Sequence, residues 1–445
     1  MESTYDAIII GSGAAGGNAA SRCAAAGLRT ALVEQNGFGG TCPLRGCNPK
    51  KVLFNAAEVV ARSHQLKGKG IDDQSRIDWS RLMQFKRSFT DPVSDQLKGI
   101  YREKGIGILQ DPARFTGRNT IRSGDRELTG KKILIATGTT PRPLDFPGSE
   151  YIVTSADFLD FDTLPGSFLF LGGGYISFEL GQIAALAGKK VTILEMTDRP
   201  LGRFDPDLVD MLVEASREMG IRIETKMPVR SIEKGFVVRA GQDGGHEFRT
   251  DCVVHGAGRV PQVKDLDLEV GEIEYGPKGI AVNTFMQSVS NPDVYAAGDV
   301  AETPFQLTPT ASQEGDVAAL NMIRGNMVEN DLTGIASVIF THPPMSAVGL
   351  GEAEARARSF RFETRFKETR SWFSSRSTGL NHSGIKILLE KGSRKILGAH
   401  LLGDHADEII NIFALAIRCG LTADDVNSAV YAYPTAGREI RSLLE

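Results

Sequence analysis

The chain has 445 residues, 41% hydrophobic and 24% charged, a composition that suits a multi-domain globular protein and excludes a disordered or fibrous one. Lys+Arg 51 against Asp+Glu 55 leaves a net charge of −4, so there is no basic excess to attract nucleic acid or anionic lipid. Five cysteines in so long a chain exclude a disulfide-stapled secreted scaffold, while the 49 glycines exceed the roughly 7% background.

The N-terminus, MESTYDAIIIGSG, has no basic leader, and its apolar run stops at Ile10. No later stretch approaches the ~18 apolar residues of a membrane span. The expectation is a soluble, cytoplasmic protein with no membrane or nucleic-acid partner. Residues 5–10 predict a buried strand leading into GSGAAG at 11–16. An Ala-rich helix then runs to Gly27, and the strand TALVE ends in Glu34.

Residues 51–66 read as a helix, 67–105 as polar helical pieces, and 133–138 as a buried strand ending in the turn Thr137-Gly138. At 168–171 the opening design returns. FLFL leads into GGGYIS at 172–177, a helix runs to Gly188, and VTILE ends in Glu195. Gly11 to Gly172 and Glu34 to Glu195 are both 161 residues apart, so two βαβ units of one design share the chain. In each, the first glycine permits the tight turn and the second (Gly13, Gly174) lets the backbone approach a pyrophosphate. The third small residue (Gly16, Ser177) lets the helix pack on the sheet. Phosphates then sit on the helix N-terminus, and the acid accepts from ribose hydroxyls. Short strands are expected over 219–258, and VYAAGD at 294–299 is a strand ending in Gly298-Asp299. Beyond Gly334 the pattern is mixed, with strands at IKILLE and KILGAHLL and a helix at DEIINIFALAIRCG. Boundaries are expected near 146, 265 and 333.

Cys42 and Cys47 lie in GGTCPLRGCNPKK, just after the first unit. Five residues apart at a helix start, they can meet in disulfide geometry. So short a loop makes the bond worth only about 2 kcal/mol, and an intracellular structural disulfide is uncommon. A zinc pair lacks two further ligands, since Cys252 and Cys419 stand alone. A helix N-terminus with Arg45, Lys50 and Lys51 nearby is expected to lower the thiol pKa. The pair therefore reads as a redox-active disulfide.

GSGAAG with Glu34, GGTCxxxxGCxPKK, ATGTTPRP, GGGYISFELG, GAGRVPQ, AAGDV and LTPTASQEG occur in this order. Over essentially its whole length the chain resembles the flavin-dependent pyridine nucleotide–disulfide oxidoreductases: glutathione reductase, dihydrolipoamide dehydrogenase, mercuric reductase and relatives. The resemblance implies an α/β fold with two Rossmann-like dinucleotide-binding domains and a C-terminal α+β dimerisation domain. The expected division is 1–145 and 265–332 for FAD, 146–264 for NAD(P)H, and 333–445 for the interface.

Residue by residue, it implies that Gly11, Gly13, Ala15, Gly16, Glu34, Gly40, Thr41, Ala113, Thr137, Gly138, Asp299 and Thr308 hold FAD. Cys47 would be the thiol facing the flavin and Cys42 the one attacking the acceptor. Lys50 would lie beside the flavin, with Glu179 as its paired acid. Gly172, Gly174, Tyr175, Ile176, Glu195, Gly258 and Arg259 would serve the nicotinamide dinucleotide, Tyr175 as a movable ring. A carboxylate at Glu195 accepts from the 2′-OH of NADH and repels a 2′-phosphate, and Met196 and Gly202 stand where glutathione reductases carry arginines. NADH is expected rather than NADPH.

The C-terminus departs from the family. Its members end in His-Pro-Thr followed by Glu, donated across a homodimer; here AVYAYPTAGREIRSLLE places Tyr433 at the histidine and Arg438 at the glutamate. Glu439 is one residue out, about 100° around a helix. A phenol ionises near 10, so it donates a hydrogen bond or proton rather than serving as a base at neutral pH. The expected function is electron transfer from NADH through FAD and Cys42–Cys47 to a disulfide-type acceptor, assisted by Tyr433 of the partner subunit. The alternatives are a reductase of metal ions or small electrophiles and a low-turnover flavoprotein sensor. No resident metal is expected: His400, His405 and Glu408 read as a structural turn, and Cys23 as core. Arg376, Arg438 and Arg441 are candidates to line an anionic pocket.

Overall fold

The computed structural model describes residues 2–73 and 75–445 and shows a mixed α/β protein. Its contacts divide the chain into two compact units. One comprises Met1–Lys50, Phe85–Pro143 and Gly258–Leu332; the other comprises Lys51–Gln84, Leu144–Ala257 and Thr333–Glu445.

In the first unit the apolar run Tyr5–Ile10 forms the central strand Glu2–Ile10. Thr30–Val33 and Arg126–Ile135 pair parallel to it on either side, and Gly107–Leu109 and Val294–Ala296 extend the parallel sheet. A hairpin of Ala113–Gly117 and Thr120–Ser123 completes seven strands. Ile8, Ile9, Leu32, Ile133, Leu134 and Tyr295 pack in its core, consistent with the near-continuous apolar strands of a sheet covered on both faces.

The second unit holds a four-stranded parallel sheet in the order Arg222–Glu224, Lys190–Leu194, Ser167–Leu171, Cys252–His255. The antiparallel strands Val229–Glu233, Val237–Ala240 and His246–Arg249 lie beyond it. Its C-terminal part is a five-stranded antiparallel sheet backed by the helix Ala406–Arg418. The strands Gly384–Glu390 and Ile396–Leu402 and that helix match the sequence reading; the flanking strands Ala336–Ile339, Met345–Gly349 and Phe362–Glu368 were not expected. Phe362–Glu368 alternates apolar and charged residues at a sheet edge, a weak hydrophobic signal. Arg259–Pro261, assigned from sequence to the nicotinamide segment, pairs with Thr139–Pro141 in the first unit. Among the described residues, no helix is long and apolar enough to cross a membrane.

Candidate redox and nucleotide-binding sites

At the first turn, Gly11 takes φ +99°, and an added Cβ would overlap the Ala136 carbonyl oxygen. Its N–H donates to Val33 O at 2.8 Å, holding the turn on the neighbouring strand. The helix Ala14–Ala25 begins at Gly13 with no side-chain cap, so its first-turn amides remain available to an anion. Elsewhere the helix Pro206–Glu218 is capped by Asp205. Gly16 packs against the Gly11 carbonyl, and Ala15 meets Gly298 and Gly315. Glu34 is buried. Its Oε2 accepts from Ser12 N (3.0 Å) and Ser12 Oγ (2.8 Å), and its Oε1 from Asn36 N (2.8 Å). These features fit a dinucleotide: free amides for the diphosphate, a close glycine approach, and a positioned acid for ribose.

The cysteine loop is fastened to that turn. Gly39 N donates to Ser12 Oγ at 3.0 Å, and a Cβ on Gly40 would lie 2.6 Å from Gly13 Cα. Thr41 and Cys42 then open the short helix Thr41–Arg45, and Cys47 opens Cys47–Gln65. So the pair spans two helices rather than one helix start. Cys42 is half-buried and hydrogen-bonded to Cys47, which is exposed and lies 3.4 Å from Thr308 Oγ1. Thr308 opens the helix Thr308–Arg324, whose positive end favours a thiolate there. The expected lowering of the thiol pKa is reversed at Cys42. The hydrogen bond to Cys47, then burial, push it up, so this thiol holds its proton more tightly than a free cysteine does. Arg45 is not poised on the sulfurs; its guanidinium donates to Asn36 O.

Asp299 Oδ2 accepts from Thr139 Oγ1 at 3.3 Å, and Thr139 in turn accepts from Arg259 Nε at 2.9 Å. Burial raises the Asp299 carboxyl above its usual range, with Arg259 opposing. Thr137 Oγ1 donates to Gln262 O, bracing the turn before Gly138. Ala113 is buried in its strand, and Lys50 closes the first stretch of this unit. Gly258 and Arg259, expected beside the second dinucleotide, are thus built into the first unit, where Arg259 joins the Thr139–Asp299 chain.

The second turn repeats the first. Gly172, at φ +87°, donates to Leu194 O at 2.8 Å, and its Cβ would lie 2.7 Å from Gly256 O. Gly174 starts the helix Tyr175–Leu186, again without a side-chain cap. Tyr175 is 51% exposed and Ile176 half-buried. The buried Glu195 accepts from Gly173 N (2.6 Å), Thr197 N (2.7 Å) and Thr197 Oγ1 (2.8 Å). Arg199 is committed to Asp210 by two hydrogen bonds of 3.1 and 2.9 Å. Glu179 is buried and accepts from Phe340 N at 2.8 Å.

At the C-terminus Tyr433 is 77% exposed, with the Arg438 guanidinium 5.4 Å from its ring centre. Glu439 is turned away and binds Ser374 N and Oγ, so it does not replace the displaced acid. Arg441 donates to Asn427. His400 Nε2 lies 3.1 Å from Leu350 O, a structural contact. Sequence reasoning missed Ser12, Asn36, Thr139 and Thr197. The signal for Asn36 and Thr197 was present, since each stands two residues beyond its acid at the 161-residue repeat.

Residues 5–315 match the family described as pyridine nucleotide-disulphide oxidoreductase, and 335–444 match that family's dimerisation domain. A glutathione reductase of Nostoc sp. is 31% identical over 99% of both chains. A dihydrolipoyl dehydrogenase of Haloferax volcanii is 30% identical, covering 98% of this chain and 95% of its own. A mercuric reductase of Bacillus cereus is 28% identical over 98% of this chain and 70% of its own. The HOCl-induced flavoprotein disulfide reductase RclA from Escherichia coli superimposes with a TM-score of 0.88 at 26% identity, covering 99% of each chain. The chain belongs to the pyridine nucleotide-disulphide oxidoreductase family, whose members are FAD-dependent enzymes acting on sulfur groups.

Proposed function

We propose that this protein is a homodimeric, NADH-dependent disulfide reductase working through Cys42 and Cys47. The observation that carries this reading is the loop Gly39–Cys47, which binds Ser12 and Gly13 of the first dinucleotide turn and brings both sulfurs beside Thr308. FAD, when bound, supplies two-electron transfer between reduced nicotinamide and the disulfide. Glu34, the Gly11–Gly16 turn and Asp299 would hold it, with Lys50 the candidate lysine at its reactive end.

Glu195 supports NADH. Its side-chain oxygens are anchored by three hydrogen bonds at the end of the second strand, while Arg199, the nearest cation to a 2′-phosphate site in sequence, is paired with Asp210. Tyr175, exposed at the start of the second unit's helix, would move aside as the dinucleotide enters. Once the dithiol has formed, Cys42 Sγ attacks one acceptor sulfur as its proton passes to the other, which leaves as a thiol. Cys47 then attacks Cys42 Sγ, which closes the disulfide and releases the second thiol. The raised Cys42 places a proton on that sulfur between turnovers. Tyr433 of the partner subunit, flanked by its own Arg438, would donate a hydrogen bond to the leaving thiolate.

Steady-state turnover with a panel of small disulfides tests this. NADH should exceed NADPH at least tenfold in kcat/KM, and Cys42→Ser should abolish turnover. NADPH preference contradicts the cofactor assignment; disulfide reduction surviving in Cys42→Ser contradicts the mechanism.

A further inference from the structure

Six residues after Thr308, the same helix buries Glu314 completely, at 0% exposure. Its Oε2 accepts from Gly298 N at 2.8 Å, the residue before Asp299. Its Oε1 has no hydrogen-bond partner, and neither have the buried hydroxyls of Thr303 and Thr310. Three unsatisfied polar atoms in one neighbourhood are costly unless a proton or buried water joins them.

The groups facing Glu314 come from each packed element. The loop after Val294–Ala296 contributes Gly298, Asp299 and Thr303, and the segment beyond the helix contributes Asn330. Thr310 lies one turn away on the same helix. The helix Ala14–Ala25 contributes Ala15, whose backbone would overlap a Cβ on Gly315 and whose methyl lies 3.3 Å from where a Gly298 Cβ would stand. Burial, first, and then the Asp299 charge oppose a charge on the carboxylate, whereas Gly298, Thr303 and Asn330 favour one. An ionised Glu314 would thus be a buried carboxylate with one bare oxygen beside a second carboxylate. The neutral acid removes both faults, because Oε2 still accepts from Gly298 and Oε1–H gains a donor role. Burial pushes its pKa up to about 7, so the proton exchanges near physiological pH.

We propose that Glu314 is a positioning residue whose proton is linked to occupancy of the first dinucleotide site. The neutral acid holds the Gly298–Asp299 turn in its binding form; ionisation sets a second negative charge behind Asp299 and weakens the hold on an anionic dinucleotide. The inference rests on the assignment of FAD to the first unit. Flavin release from the holoenzyme, tracked by the rise in flavin fluorescence from pH 6 to 9, tests it. Wild type should release flavin about tenfold faster at pH 9 than at pH 6, along a one-proton curve. Glu314→Gln, which keeps the neutral shape, should give a flat profile. A flat wild-type profile, or a Glu314→Gln profile as steep as wild type, overturns the proposal. A second measurement needs no variant: release from wild type at pH 7 in weak buffer with an indicator dye should free up to one proton per flavin, and no proton overturns it. A folded protein that holds no flavin at any pH contradicts the FAD assignment, and the linkage with it.

Discussion

The two Gly-rich turns agree down to single hydrogen bonds and part where chemistry is added. Ser12 and Gly173 both donate a backbone N–H to the acid, and so do Asn36 and Thr197. Each turn is closed by a 2.8 Å bond from its first glycine to the adjacent strand. The third position differs. Gly16 lies bare against the Gly11 carbonyl, whereas Ser177 carries a hydroxyl buried under Gly256 without a partner. The chain beyond the acid differs more. After Glu34 it turns back on Gly13 and delivers Cys42; after Glu195 it pairs Arg199 with Asp210. On the proposed function, dinucleotide recognition would be a repeated part, with the redox function grafted onto one copy's loop.

The comparison breaks most sharply at the first glycines. Gly11→Ala and Gly172→Ala each force a side chain to positive φ, about 1–2 kcal/mol of strain, with steric overlap adding roughly 1–3 kcal/mol. Gly11→Ala should lose bound flavin and several degrees of Tm. Gly172→Ala should keep its flavin and raise the KM for NADH at least tenfold. Flavin content and KM on the same preparations check both.

The units should also differ in their response to pH. In the second, His342 is buried with neither ring nitrogen hydrogen-bonded, and burial pushes its pKa down to about 4 from 6.5. The unfolded chain binds that proton first, so stability falls as pH drops from about 6.5 through 4, by up to about 3 kcal/mol. In the first, Glu314 rises to about 7 from 4.5, and the folded state keeps a proton that the unfolded chain releases. Its contribution is whole below pH 4.5 and is lost as pH rises through 7, again up to about 3 kcal/mol. Denaturant unfolding across pH should lose the acid-side slope in His342→Gln and the neutral-side slope in Glu314→Gln.

Smaller effects sharpen the picture. Glu195→Ala strands the Gly173 and Thr197 amides and should cost about 1–3 kcal/mol in NADH binding, narrowing the preference over NADPH. Paired KM measurements with the two nucleotides read this. Ser177→Ala removes an unpartnered hydroxyl and should stabilise the protein by about 1 kcal/mol with nucleotide KM unchanged. A loss of stability would mean that the hydroxyl is satisfied.

Both βαβ units were legible because glycine spacing, strand, helix and acid are local and occur twice. The cysteine pair occurs once, but it too was read from a local motif, and the structure sets Cys42 in hydrogen-bond contact with Cys47. The pairing of Arg259–Pro261 with Thr139–Pro141 was not legible, since the two strands are far apart in sequence. The sign at Cys42 was misjudged because nearby basic residues in the sequence say nothing of which group a thiol touches. Here it is another thiol, in a half-buried position. Glu439, read as one residue out of register, bonds Ser374, a contact between distant parts of the sequence that no local pattern shows.

The central claim is that Cys42 and Cys47 exchange electrons with FAD bound at the adjoining turn. Anaerobic titration of the holoenzyme with NADH, recorded as full visible spectra, tests it most directly. A long-wavelength absorption band should appear at two electrons in wild type and be absent in Cys47→Ser. Flavin bleaching without that band in wild type would contradict the coupling and, with it, the disulfide-reductase reading.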